Sequence, residues 1–134
     1  MIKHLNTFSD ARGSLTVAET SKEIPFTVKR AYWIYNVPKM TQRGKHASRT
    51  TQQFLIAIKG SVEISLENKN GKAKYLLNSP DQGLLIPPLT WNELLYLSPD
   101  SILLVLSSEH YQPENYINSH TEFLKILKEQ TCCK

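Results

Sequence analysis

Gln53-Phe54-Leu55-Ile56-Ala57-Ile58 runs through Lys59-Gly60 into Ser61-Val62-Glu63-Ile64-Ser65-Leu66 and on to Asn68-Lys69-Asn70-Gly71. The first six residues are almost continuously apolar and bounded by a turn signal, which reads as a buried strand. Ser61 to Leu66 alternates polar and apolar, the period of a strand with one buried face. Lys59-Gly60 supplies the tight turn between them, and Asn68 to Gly71 is the strongest hairpin signal in the chain. Similar short runs extend in both directions: Ser14–Glu19, Ala31–Val37 ending at Pro38, Ala73–Leu77, Gly83–Ile86, Trp91–Leu97 and Ile102–Leu106. Helical spacing occurs only near the end. Asn118 or Ser119 caps a segment running to about Glu129, with Phe123, Leu124, Ile126 and Leu127 on its apolar face. The pattern predicts an all-β protein, an antiparallel β-barrel or double-sheet jelly roll with one short C-terminal helix. The mouth of such a barrel holds one small ligand.

With 134 residues, 40% of them hydrophobic, the chain suffices for a single domain spanning 1–134. That excludes a two-domain dehydrogenase or kinase, and no repeat or linker divides the chain. Sixteen Lys and Arg against twelve Asp and Glu leave a net charge of +4, which favours an anionic partner. The basic residues are scattered, whereas nucleic-acid binders gather theirs into dense runs. The longest loose cluster, Lys39 to Arg49, reads as a solvated loop, so no nucleic-acid partner is expected. No stretch approaches the roughly 20 apolar residues of a membrane span. The start, Met1-Ile2-Lys3-His4-Leu5-Asn6, lacks the apolar run of a signal peptide, which makes the cytoplasm the expected compartment. Cys132 and Cys133 are adjacent, without neighbouring ligands at metal-site spacing, and read as an incidental tail.

Among four histidines, His4, His110 and His120 fall at a terminus, in a loop or near a helix cap, and read as surface residues. His46 sits in Arg43-Gly44-Lys45-His46-Ala47-Ser48, just before the buried strand. His46-x-Ser48, then Gln53 and Gly60, is similar in outline to the first motif of the cupins. In metal-binding cupins that motif carries His-x-His, a Glu and then a Gly. Here Ser48 stands for the second His and Gln53 for the Glu. The stretch Gly83-Leu84-Leu85-Ile86-Pro87-Pro88-Leu89-Thr90-Trp91-Asn92 supplies none of the expected second-motif His. A divalent site needs three or four convergent ligands, so no metal is expected.

The chain as a whole resembles the sugar-nucleotide 3,4-ketoisomerases, typified by dTDP-4-dehydro-6-deoxyglucose 3,4-ketoisomerase. The resemblance rests on Asp10-Ala11-Arg12-Gly13-Ser14-Leu15, Ile24 to Tyr32, Arg43 to Ala47, Gln53 to Ile56, Lys59-Gly60-Ser61, and Ser79-Pro80 with Gly83-Leu84. It continues through Pro88-Leu89-Thr90-Trp91, Leu103 to Ser108, and Tyr111 with Tyr116-Ile117. It implies a cupin fold, a homodimer, a dTDP-sugar substrate and no redox cofactor. It also implies an isomerase that shifts the keto group from C4 to C3 through an enediol or enediolate. The product would feed a 3-aminotransferase making 3-amino-3,6-dideoxy sugars for surface glycans such as the O-antigen of lipopolysaccharide.

The resemblance maps the catalytic base onto His46 and its partner tyrosine onto Tyr32. A neutral imidazole titrates near working pH, and a phenol can hydrogen-bond a sugar oxygen or relay a proton. Arg12 occupies the position that separates galacto- from gluco-configured products, and arginine is similar to the galacto type. Its companion position holds Asn92, where family members more often carry His or Arg. Arg30 and Arg43 are candidate diphosphate contacts, or else surface charges. Gln53 hydrogen-bonds sugar or base, and Trp91 walls the site or fills the barrel. Ser48 removes one acid that most members have but can position water or a sugar hydroxyl. The alternatives are a non-catalytic sugar-nucleotide-binding cupin, which Ser48 and Asn92 favour, and a related dTDP-sugar 3,5-epimerase.

Overall fold

The computed structural model describes residues 1–132 and contains twelve strands and one α-helix. They are β1 (Ile2–His4), β2 (Asn6–Asp10), β3 (Gly13–Val17), β4 (Arg30–Ile34), β5 (Thr41–Ser48) and β6 (Gln53–Lys59). Then follow β7 (Val62–Asn68), β8 (Gly71–Leu77), β9 (Gln82–Ile86), β10 (Trp91–Tyr96), β11 (Ile102–Ser107), β12 (Tyr116–Ile117) and α1 (His120–Cys132). Two antiparallel five-stranded sheets, ordered β1-β9-β6-β11-β4 and β12-β5-β10-β7-β8, form a double-sheet jelly roll. β2 and β3 pair only with each other.

The inner faces of the two sheets meet in one core. Leu55 and Ala57 of β6 pack with Val62, Ile64 and Leu66 of β7, Leu84 of β9, Leu94 and Tyr96 of β10, and Leu103 and Val105 of β11. The opposite face of β6 is also covered: Phe54 and Ile56 pack with Leu5, Ile24 and Phe26. Burial on both sides explains why this strand has a continuous apolar run, whereas β7 alternates. A third cluster joins Ala47, Trp91, Ile117 and Phe123, and it docks α1 on the outer face of the second sheet. Ser119 caps that helix, its hydroxyl accepting from the Glu122 amide at 3.2 Å. Phe123, Ile126 and Leu127 form the docked face, while Leu124 points outward and is exposed, contrary to expectation. Cys132 closes the helix, and Cys133 lies outside the described residues.

The Lys39–Arg49 cluster is a correction. Most of it is β5, a strand paired with β10 on one side and with β12 on the other, and not a solvated loop. β1, β2 and β12 are further strands that the sequence pattern did not show, and His4 belongs to β1. Within β5 the register shifts: His46 pairs with Asn92 and Gly44 with Glu93, so Lys45 is an extra residue, a β-bulge. Gly44 and Lys45 both take left-handed backbone, at φ 84° and 63°. A Cβ on Gly44 would stand 3.0 Å from the Asn92 side-chain oxygen and 3.1 Å from its carbonyl, so the bulge needs glycine there. Side chains alternate along a strand, so residues three apart ordinarily face opposite ways. The bulge instead turns both Arg43 and His46 inward.

Candidate active site

Inward-facing side chains from five strands converge at one end of the barrel. β4 contributes Tyr32 and Ile34, β5 Arg43 and His46, β6 Gln53 and Leu55, β10 Asn92 and Leu94, and β11 Val105. They enclose a chamber of about 130 Å³. A wider chamber of about 330 Å³ adjoins it and shares Tyr32 and His46, adding Arg30, Tyr111, Pro113, Tyr116 and Asn118. No Asp or Glu lines either chamber. Neither Arg30 nor Arg43 forms an ion pair with a carboxylate among the described residues.

His46 is largely enclosed. The Asn92 side-chain amide donates to its backbone carbonyl at 3.1 Å, and the Tyr116 ring meets the imidazole edge-on at 5.2 Å. Its Nδ1 is buried without a hydrogen-bond partner among the described residues. Burial pushes the imidazole below the ordinary histidine pKa, so the neutral, proton-accepting form prevails at neutral pH. Tyr32 accepts a 3.1 Å hydrogen bond from Gln53 Nε2. Burial, and then the neighbouring Tyr116, raise its pKa above the usual phenol value, while Arg30, Gln53 and Arg43 act against them. The Arg30 guanidinium lies over the Tyr32 ring at 4.4 Å and over the Tyr111 ring at 5.1 Å, and it donates to the Tyr116 hydroxyl at 3.4 Å. Tyr96, deeper on β10, is fully buried with no partner for its hydroxyl among the described residues, and burial pushes its phenol up to about 12.

The barrel thus gathers His46, Tyr32, Arg30, Arg43, Gln53 and Asn92. Ser48 is buried on β5 directly across from Tyr116 but lines neither chamber. Trp91 is turned the other way. It faces α1, meets the His120 ring edge-on at 5.0 Å and the Phe123 ring at a tilt at 5.6 Å, and donates to Glu93 at 3.0 Å on the outer face of the sheet. Strand parity decides this, because its neighbour Asn92 takes the inward position. Arg12 lies at the exposed tip of the β2–β3 hairpin, paired with Asp10 at 2.7 Å, and lines neither chamber of this chain.

Tyr111 and Tyr116 line the wider chamber, a placement that their sequence context does not reveal. They lie in a segment with only two strand residues and no periodic pattern, and their one signal is aromatic content in an apparent loop. Asn115 holds this segment in place. Its side-chain oxygen accepts from the Thr50 amide at 3.1 Å, and its amide donates to Glu109 at 3.0 Å and also to Thr51. Thr51 donates to the same Glu109 carboxylate at 2.6 Å.

A larger groove of about 570 Å³ lies on the outer face of the second sheet, lined by Trp91, His120, Glu63, Glu67 and Glu93 among others. Its three carboxylates outnumber its two lysines, Lys72 and Lys74, and two of the three are engaged with Lys74 and His120, so it offers little free positive charge to an anion. The two inner chambers, with one arginine each and no acid, are the electrostatically suited ones. The described residues hold no group of three or more His, Cys, Asp or Glu arranged for a metal ion.

An imidazole kept neutral by burial shares its two chambers with a phenol and two guanidiniums inside a cupin-type fold, an arrangement suited to an enzyme site. The family model described as "FdtA: WxcM-like, C-terminal" matches residues 1–128, and the chain belongs to that family. A TDP-4-oxo-6-deoxy-alpha-D-glucose-3,4-oxoisomerase from Aneurinibacillus thermoaerophilus is 36% identical over 118 residues, covering 88% of this chain and 85% of its relative. The sugar 3,4-ketoisomerase QdtA from Thermoanaerobacterium thermosaccharolyticum, solved with TDP, superposes with a TM-score of 0.92 at 35% identity, covering 97% of this chain and 95% of QdtA. The TDP-quinovose 3,4-ketoisomerase WlaRB from Campylobacter jejuni matches with a TM-score of 0.88 at 39% identity, covering 93% and 96%.

Proposed function

We propose that this chain is a 3,4-ketoisomerase acting on a TDP-4-keto-6-deoxyhexose. The observation that carries the reading is His46, neutral by burial, beside Tyr32 in a carboxylate-free cavity. The C4 ketone acidifies the C3 hydrogen. His46 takes that proton, the electron pair forms a C3–C4 double bond, and charge develops on the C4 oxygen, where the Tyr32 hydroxyl donates. Return of a proton to C4, with loss of the C3 hydroxyl proton, gives the 3-keto sugar, and no electrons leave the substrate. Arg30 and Arg43 supply positive charge for the diphosphate, since guanidinium forks suit phosphate oxygens. A 3-keto product is the substrate class that a 3-aminotransferase requires.

The test is incubation with TDP-4-keto-6-deoxyglucose in D2O, followed by NMR at C3 and C4. Deuterium incorporation and a 3-keto product are expected, and the C4 configuration reads out the stereochemical class. TDP binding without exchange or product would replace this reading with that of a non-catalytic binder.

A homodimer belongs to the same proposal. Trp33, Tyr35 and Ile58 on the outer face of the first sheet are 60%, 57% and 44% exposed, and Phe8 and Leu15 of the β2–β3 hairpin 65% and 59%. Apolar exposure on this scale suits burial against a second copy. Since Arg12 lines no chamber of its own chain, any contact it makes with substrate would be across such a dimer. Light scattering at micromolar concentration should give twice the chain mass, and a monomer mass would refute the arrangement.

A further inference from the structure

We propose that Gln53 is a positioning residue that fixes the direction of the Tyr32 hydroxyl, so that the phenol hydrogen is offered to the cavity and not to the protein. This rests on the reading of Tyr32 as the group that donates to the sugar carbonyl oxygen.

A phenol has one hydrogen to give and lone pairs to receive with. Gln53 Nε2 bears only hydrogens, so in the 3.1 Å contact the Tyr32 oxygen is the acceptor. Among the described residues Tyr32 makes no other hydrogen bond, so its own hydrogen remains for whatever enters the chambers that it borders. Gln53 is only 5% exposed and sits at the start of β6, paired with Ile86 on one side and Ser107 on the other. Burial in that position restricts the side chain and holds one of the two Nε2 hydrogens on the phenol. That bond is the means by which Gln53 acts through Tyr32. The same bond also favours ionisation of the phenol against the effect of burial.

Two substitutions separate this arrangement from its alternatives. Gln53→Leu removes the donor and leaves the phenol rotor undirected. Gln53→Glu reverses the bond, because an ionised carboxylate only accepts and so captures the phenol hydrogen. When the introduced carboxyl is protonated it can donate again.

The experiment measures kcat and KM with TDP-4-keto-6-deoxyglucose for both variants, in the parent and in a Tyr32→Phe background. TDP-induced shifts in Tm report that fold and nucleotide binding persist. In the parent background, Gln53→Glu is expected to lower kcat by about 10²-fold, the scale of losing one oxyanion donor. Gln53→Leu should lose less, and KM should change little in either. The Gln53→Glu activity relative to the parent should recover as pH falls and the introduced carboxyl, raised by burial above the ordinary value of about 4.3, takes up a proton. Neither variant should cause a further loss in the Tyr32→Phe background. Equal losses in both backgrounds, or a change in KM alone, would overturn the proposal in favour of direct contact with substrate. A fully active Gln53→Glu enzyme would show that the amide faces the other way. A Tyr32→Phe enzyme as active as the parent would instead refute the reading of Tyr32 itself.

Discussion

Replacing His46 by Asn should reduce kcat by about 10³-fold while TDP binding persists, because a positioned general base contributes on the order of 10²- to 10⁴-fold. Asn fills much of the same space but cannot take up a proton at C3. The proposed diphosphate contacts, Arg30 and Arg43, are separate side chains. Loss of C3 exchange in D2O together with an unchanged TDP-induced shift in Tm is the expected pair of results. Full activity in the variant would exclude His46 as the base without touching the fold. The pH dependence has a definite sign. Burial lowers the His46 pKa from the ordinary value near 6.5, so the acid limb of kcat/KM should lie below that value. Stability follows the same direction. Above about pH 6.5 His46 is neutral in both folded and unfolded chains. As pH falls, the unfolded chain takes up its proton first, so stability is lost between that value and the lower folded-state pKa. His46→Asn should remove that loss, measurable as a flatter dependence of Tm on pH across the window.

Gly60→Ala should damage the fold severely. Gly60 turns the chain from β6 into β7 at φ 77°, a left-handed conformation that costs an L-residue roughly 1–2 kcal/mol. Space is the second penalty. A Cβ there would stand 2.5 Å from the hydroxyls of both Ser98 and Ser101 and 2.7 Å from Ser101 Cα. The serines cannot simply step aside. Their hydroxyls bond each other at 2.8 Å and receive the Ser61 amide at 3.1 and 3.2 Å. Overpacking of this kind costs about 1–3 kcal/mol. The sum of about 3 kcal/mol corresponds to a fall in Tm of roughly 10 °C for a chain of this size. Thermal denaturation checks it, and a Tm within about 2 °C of the parent would contradict the packing argument.

Much of the fold could be read from residues whose burial is one-sided or complete. β6, β7 and β8 follow from apolar continuity, alternation and the Asn68–Gly71 turn, and the cap at Ser119 from its hydroxyl. β5 stayed hidden for a physical reason. Its inward face carries Arg43 and His46 where a structural strand would carry apolar residues, and Lys45 interrupts its period. β2 shows no burial pattern because neither of its faces is covered, whereas its partner β3 falls in the strand-like run Ser14–Glu19. Within the site, His46, Tyr32, Arg30, Arg43, Gln53 and Asn92 converge, although composition alone could not separate Asn92, facing the cavity, from adjacent Trp91, facing the helix. Only strand phase distinguishes them. Tyr111 and Tyr116 depend on a loop shaped by Asn115, Thr51 and Glu109, a network with no local sequence signature.

The extra residue at Lys45 sets which side chains of β5 share the inner face. Along an even strand, two inward neighbours are two residues apart, roughly 6.6–6.8 Å of strand. The bulge lets Arg43 and His46 share a face across an odd count, opposite Leu94 and Asn92, which are themselves only two residues apart on β10. β5 is in effect read in two frames, one ending at Arg43 and one beginning at His46, with the frameshift between them. The placement of Arg43 and His46 on one face is therefore written in backbone geometry. No side-chain substitution at either end can reset it as one inserted or deleted residue would.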